Sequence, residues 1–452
     1  MTRRPWRLVL AVWCAGCAGY PPRSLPPPPA AALPRPLDVQ RLRVQARELR
    51  AASSPPVRID LADGLDPDEA AVLAVLLEPG LAAARAERGE ADAQVIVAGI
   101  LPNPVLGVEL DQPYGPGSAG TSPVVNVTLG WDLKPLLARS AHRSAAEAGA
   151  LEVDLGIAWQ EWQVAQQARL LAVRLQWLRR RIQLGREELA FEEQTAAGLH
   201  QARKTGDATI EQVGVQLASL ENARRAVDEL EQAELGAESD LRALLGNPRI
   251  EKLSVPEARP AGPAPAPDMA KCLEQRLDLQ GLERGYQAQQ AALRAAVLDQ
   301  FPDLTVGIAH QHDEASLNFI GVFVDIGLPL FDRNQGQTAL ALATRRRLEH
   351  EYDARVAATR ADLDRLERHA TLVARQLARV RAAVPPLEQI EREERSAVER
   401  GDIDRLSYQT VRAALFDQRL QEAALSQALA ESQIGIESAC GAATSAVKAE
   451  GQ

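Results

Sequence analysis

Aromatic side chains make up only 4% of the 452 residues, and there are two methionines, so the chain lacks the bulky payload of a thick globular core. No stretch of the mature chain approaches the ~20 uninterrupted apolar residues of a membrane-spanning helix. Positive charge is not in excess either: 51 Lys and Arg stand against 61 Asp and Glu, a net charge of −10, which offers no footprint for nucleic acid. Cysteines number four, and Cys14 and Cys17 fall in the first twenty residues. Cys272 and Cys440 remain, free to join in an oxidising compartment or to stay as thiols. The six histidines are scattered. Only His310-Gln311-His312 makes a close pair, beside Asp313 and Glu314 and without a thiol, and it reads as part of a solvated turn. There is no phosphate-cradling glycine loop and no nucleophile elbow. No catalytic residue, metal site or cofactor is expected, and the chain is read as not an enzyme.

What is there begins with an export signal. Arg3, Arg4 and Arg7 precede the apolar run Leu8 to Trp13, and small residues lead to Cys17, a pattern too short to span a bilayer. Ala15-Gly16-Cys17 resembles a bacterial lipobox, with Cys14 where such boxes usually carry Leu, and so makes Cys17 the candidate lipid acceptor. Pro21 to Pro36 is proline-dense and reads as an extended leash. Residues 1–16 are thus expected to be a signal peptide and 17–66 a lipid anchor and leash.

Four segments alternate with period two: Pro104 to Gln112, Val124 to Leu133, Pro302 to Gln311 and Asn318 to Leu330. In the second, Val125, Val127, Leu129, Trp131 and Leu133 oppose Asn126, Thr128, Gly130 and Asp132. One face suits lipid and the other water, and Glu109, Asp111, Asp132 and Asp325 take the parity of a barrel lumen, which suggests a preference for cations. Trp131, near a strand end, suits an interfacial girdle.

The strand pairs recur. Asn103-Pro104-Val105-Leu106-Gly107-Val108 is echoed by Phe301-Pro302-Asp303-Leu304-Thr305-Val306-Gly307-Ile308, and Lys204-Thr205-Gly206-Asp207 by Glu399-Arg400-Gly401-Asp402, which argues for an internal duplication. The repeats are placed at 67–255 and 269–440, joined by a Pro/Ala-rich linker, 256–268, and followed by a tail, 441–452. Each repeat continues into a long helical pattern, about Leu137 to Arg203 and Gly336 to Glu399, which at ~1.5 Å per residue extends on the order of 90 to 100 Å. Tyr352, Val356, Thr359, Leu363, Leu366, Ala370, Val373, Leu377, Val380 and Val384 keep a coiled-coil 4-3 spacing; Leu171, Leu175, Leu178 and Ile182 do so in the first half. Pro385-Pro386 predicts an interruption and kink. Gly206 and Gly401 should reverse the chain, with Asp207 and Asp402 as N-caps of the returning helices. Four strands cannot close a barrel in lipid, so the chain must associate with itself.

These residues resemble the TolC-like outer-membrane efflux factors over nearly the whole mature chain. The resemblance rests on the duplicated order, on Arg276-Leu277-Asp278-Leu279 (similar to an Arg-Pro-Asp-Leu signature, with Leu277 in place of proline) and on the Gly206 and Gly401 turns. Pro329-Leu330-Phe331-Asp332-Arg333-Asn334-Gln335-Gly336 resembles the strand-exit motif of the heavy-metal efflux branch related to CzcC. The resemblance implies a mainly α TolC-like fold with a small membrane β part, a homotrimer completing a twelve-stranded barrel above a periplasmic helical tube. It also implies a lipid-anchored outer-membrane channel, whose partners are a periplasmic adaptor and an inner-membrane pump of the resistance-nodulation-division type. Lys204, Thr205, Gly206, Asp207, Arg400, Gly401 and Asp402 stand at the expected periplasmic tips, where an adaptor would make contact. Ser407 and Thr410 occupy the places of the paired gate aspartates of TolC itself, so that gate is not implied; Asp402, Asp404 and Glu211 supply the negative charge near the turns. The expected function is tripartite efflux of small toxic solutes, heavy-metal cations among them. The exit duct of a type I secretion system uses the same fold, whereas an adaptor or periplasmic scaffold would need no lipid-facing strands.

Overall fold

The computed structural model describes residues 24–25, 38–48, 59–60, 64–116, 118, 120–246, 255–258, 266–403 and 405–441. The signal segment, Cys17, the Pro21–Pro36 leash apart from residues 24–25, and Asp404 lie outside them. Three short helices come first: α1 (Val39–Glu48), α2 (Pro67–Leu77) and α3 (Pro79–Gly99). Asp66 starts α2 with a reciprocal capping box to Glu69, with Pro67 in the first turn, where its missing N–H leaves no bond unmade. The span 17–66, expected as anchor and leash, therefore contains a helix. Leu42 of α1 and the nearby Ile59 are buried in the core against α2 and the first long helix, and Arg43 Nε donates to Ile59 O at 2.7 Å.

The chain then makes the hairpin β1 (Val105–Asp111) and β2 (Val124–Asp132), the helix α4 (Lys134–Thr205) and its return α5 (Ile210–Leu244). After α6 (Met269–Gln275) and α7 (Leu277–Leu298) the plan repeats as β3 (Leu304–His312), β4 (Asn318–Ile326), α8 (Gln335–Arg400) and α9 (Arg405–Cys440). The strands form one antiparallel sheet in the order β1-β2-β3-β4, which leaves β1 and β4 as open edges. With 72 and 66 residues, α4 and α8 extend roughly 100 Å each. No described helix is long and apolar enough to cross a membrane.

The 4-3 seams are the packing faces. Leu171, Leu175, Leu178 and Ile182 enter the main core with Leu230, Ala237 and Leu241 of α5. Leu363 packs with Ile436, and Val373 and Leu377 pack with Leu429 of α9. The upper end of the second seam is looser, since Tyr352 is exposed. Three expectations are corrected. First, α8 runs unbroken through Pro385 and Pro386; packing of the residues upstream against α9 holds the helix where two backbone donors are missing. Second, β4 ends at Ile326, not Leu330, because the residues after it form a hydrogen-bonded turn. Third, Asp207 does not cap α5. Thr209 does, accepting from Gln212 N at 3.2 Å in a capping box, because the chain needs two further residues to swing from Gly206 to the helix start. Asp402 likewise stands three residues before α9 begins.

Both long helices end alike. Gly206 and Gly401 adopt φ of 87° and 82°, the left-handed region that glycine enters without a Cβ penalty. Asp207 N donates to Ala202 O and Asp402 N to Ala397 O, each at 2.8 Å. The sequence echo at the two tips is a single backbone motif built twice.

The question left open by the cysteines is settled: Cys272 of α6 and Cys440, the last residue of α9, form a disulfide. Around it the end of α9 is tied down several times. Arg276 Nη1 donates to Ala439 O at 2.8 Å, Trp162 Nε1 donates to Ser438 O at 3.2 Å, and Arg169 pairs with Glu437 at 2.6 Å.

Candidate functional site

The register assigns every strand residue a face. Leu106, Val108 and Leu110 oppose Leu129, Val127 and Val125; these adjoin Ile308, His310 and His312, and then Val322, Ile320 and Asn318. Apart from the residues at its far end, this face is apolar and stays exposed, with Leu106, Val108, Leu110, Ile308, Ile320 and Val322 all open. A patch of that extent is uncommon on a soluble surface and suits a hydrocarbon solvent. Trp131 sits at its helix-side end, its indole donating to Pro102 O at 2.8 Å. His310 and His312, expected in a solvated turn, are instead the last outward residues of β3, because pairing with both β2 and β4 carries that strand to His312. His312 Nδ1 lies 3.2 Å from Asn318 Oδ1. Among the described residues no group of three or more potential ligands could hold a metal ion.

The opposite face collects all four acids selected from the sequence. Asp132 and Asp325 flank Thr305 across the sheet, and Glu109 lies opposite Asn126 near the far end, with Asp111 beyond it. Asn126 Nδ2 approaches Glu109 Oε2 at 3.5 Å. Phe319 and Phe323 are the aromatic residues of this face, and the Phe323 ring lies across Gly130 and Gly307. A Cβ on Gly307 would collide with that ring and with the Leu129 carbonyl. Gly130 and Gly307 thus make room for an aromatic ring.

At the helical ends, Lys204 and Thr205 close α4, and Thr205 Oγ1 donates to Asp207 Oδ2 at 2.7 Å; Arg400 Nε donates to Asp402 Oδ2 at 2.8 Å. All seven residues chosen as tip contacts fall in or beside the two turns, and all seven are exposed.

A few turns above the tips lies a polar junction that the sequence reading missed. Within the second hairpin, Tyr408 OH donates to Glu391 Oε1 at 2.7 Å and Arg395 donates to the same oxygen. Burial alone would raise the Glu391 carboxyl, but these donors hold it below its ordinary value. Between the hairpins, the Arg412 guanidinium of α9 lies 3.8 Å above the Phe191 ring of α4, with its Nε 3.7 Å from Glu188 Oε2. Gln409 Nε2 donates to Gln216 Oε1 at 2.7 Å, and Gln216 in turn donates to Glu192. Glu188 is buried, and burial, with Arg412 opposing and Glu192 adding to it, pushes its carboxyl up to about 7. A signal existed. The seam Leu171, Leu175, Leu178, Ile182, continued at 4-3 spacing, reaches Gly185, Leu189 and then Glu192, a carboxylate where an apolar residue belongs.

No family model matches the chain. The cobalt-zinc-cadmium resistance protein CzcC of Cupriavidus metallidurans is 33% identical over 168 residues, 34% of this chain and 36% of that protein. The chain thus matches about a third of that relative's length. Among solved structures, the crystal structure of CusC, described by its transmembrane channel formation, superposes with a TM-score of 0.67 at 18% identity, over 84% of this chain and 93% of that one. The Campylobacter jejuni CmeC outer membrane channel gives 0.68 at 12% identity, over 93% and 94%. The fold is that of an outer-membrane channel.

Proposed function

We propose that the chain is the outer-membrane channel component of a tripartite efflux system and exports small toxic solutes, heavy-metal cations among them, from the periplasm or cytoplasm to the exterior. The observation that carries this reading is the four-stranded sheet with an exposed apolar face and two open edges, set on hairpins roughly 100 Å long. An edge strand in lipid leaves backbone groups unpaired, so copies must pair β4 with β1. Three copies give twelve strands. Lipid then meets the face of Leu106, Val127 and Ile308, and the lumen receives Glu109, Asp111, Asp132 and Asp325.

In this reading Cys17 carries the lipid, the helical part lies in the periplasm, and the tip residues Lys204 to Asp207 and Arg400 to Asp402 meet an adaptor that docks the channel on an inner-membrane pump. The junction of Glu188, Phe191, Gln216, Gln409 and Arg412 joins the hairpins where tip opening would separate them. The metal cargo is supported by the likeness to CzcC, whose name assigns it to cobalt, zinc and cadmium resistance. Purification from outer membranes, with oligomeric mass and planar-bilayer conductance measured on one sample, tests the reading. A trimeric mass with discrete conductance is expected; a water-soluble monomer without conductance would refute it.

A further inference from the structure

The segment between β4 and α8 is built as a rigid platform. Its polar groups are engaged locally: Asn334 N donates to Asp332 Oδ1 at 2.8 Å, Arg333 N to Gln335 Oε1 at 2.7 Å, and Arg333 Nε to Pro329 O at 3.2 Å. Gln335 Nε2 donates to Phe331 O at 3.2 Å. Asn334, at a left-handed φ of 56°, ties the turn to α7 by donating to Ala296 O at 2.9 Å. What this turn presents is apolar. Leu328, Leu330 and Phe331 are 73%, 67% and 92% exposed, and nothing in the chain covers them among the described residues.

A second uncovered apolar group flanks the other edge of the sheet. Val97 in the last turn of α3, with Ile100 and Leu101 just after it, leads into β1 and is exposed like them. Both groups lie at the helix-side end of the sheet, because β1 runs away from the helices and β4 returns toward them. Edge strands running in opposite directions can pair antiparallel, about 4.8 Å apart. Pairing β4 of one copy with β1 of the next would set the β4 exit beside the β1 entry.

We propose that Leu328, Leu330 and Phe331 form an intermolecular clasp that packs against Val97, Ile100 and Leu101 of a second copy of this chain, sealing each joint at the foot of the barrel. The occupant is a copy, since the two uncovered patches flank the two unpaired edges at the same end, and closure covers both at once. A turn whose backbone is fixed by these bonds suits this, because it has less chain freedom to lose on association. The inference rests on the oligomeric-channel reading.

The test co-expresses one chain carrying Phe331→Cys with another carrying Leu101→Cys, so that a short bismaleimide joins them only between copies; a control lacks both cysteines. A cross-linked dimer on a denaturing gel is expected, together with at least a tenfold smaller oligomer fraction for Phe331→Glu and retention of the oligomer by Phe331→Leu. An intact oligomer without the cross-link overturns the clasp and leaves the channel reading standing; a monomeric wild-type chain overturns both. Lipid is the competing occupant. A fluorophore on Phe331→Cys quenched by nitroxide-bearing lipid chains as strongly as one on Ile308→Cys, on a central strand, would assign these side chains to the bilayer and overturn the clasp.

Discussion

Arg276 and Asp278 face each other across two hydrogen bonds, Nε to Oδ1 at 2.9 Å and Nη2 to Oδ2 at 2.7 Å, both side chains nearly enclosed. The pair is the hub of the joint between the repeats. Arg355 of α8 adds a donor to Asp278 at 3.1 Å, while the Arg276 guanidinium lies 4.6 Å from the Trp159 ring of α4 and donates from Nη1 to Ala439 O. The Arg-Leu-Asp-Leu motif is thus a clamp on the end of α9. Removing one partner strands a buried charge, so Asp278→Ala should cost about 3–5 kcal/mol. Thermal unfolding in detergent should show the loss, and a change within error of an exposed control such as Asp362→Ala would mean the clamp carries no stability.

The disulfide acts on the same joint from the other side. It closes a span of 168 residues in sequence, which limits the freedom of the unfolded second repeat. Replacing Cys272 and Cys440 with Ala should destabilise the chain by about 2–4 kcal/mol, and reductant should lower the wild-type midpoint to that of the variant. Equal midpoints with and without reductant would remove the disulfide from the stability of the folded state.

Much of this architecture was legible. Strand parity follows from alternation alone, so the faces of Glu109 and Val127 could be read directly, and the tip glycines announced themselves by repetition. The end of β4 was not legible, because Leu328 and Leu330 continue the alternation while their backbone bends away in a turn fixed by Asp332 to Gln335. Likewise the caps: Asp207 and Thr209 are both good cap residues, and only the path of the turn chooses between them. The polar junction was missed because Glu188, Gln216 and Arg412 are far apart in sequence and ordinary one by one. Their meeting depends on how two hairpins pack.

Gly206 and Gly401 must hold φ values of 87° and 82°, which cost an L-residue roughly 1–2 kcal/mol. Gly206→Ala and Gly401→Ala should therefore loosen the tips while the sheet end is unaffected. If the tips dock an adaptor in an oligomeric channel, charge reversal at Lys204 and Arg400 should instead weaken cross-linking to that adaptor and leave the oligomer intact. Loss of the oligomer on charge reversal would make the tips structural rather than a docking surface.

If Asp132 and Asp325 line a lumen, three copies place six carboxylates at one level of the pore, where they should favour cations. Asp132→Asn with Asp325→Asn should reduce the cation-over-anion permeability ratio measured from reversal potentials in a salt gradient. Unchanged reversal potentials would place the selectivity elsewhere along the conduit.

The Glu188 carboxyl predicts a pH dependence with a definite sign. Its proton is held more tightly in the folded chain, at about 7, than at the ordinary value of 4.5 that applies when unfolded. Its contribution to stability is therefore full below that ordinary value and is lost as pH rises through about 7, an effect on the order of 3 kcal/mol. Arg412 does not reverse the sign, because its attraction is weaker than the penalty of burying the charge. Glu188→Gln keeps the shape without the titration. Thermal midpoints from about pH 4.5 to about pH 8 should fall for the wild type and flatten for the variant. If the junction also joins the hairpins during opening, the open probability in bilayers should change over the same window in the wild type alone; parallel pH curves for the two proteins would exclude Glu188 as the titrating group.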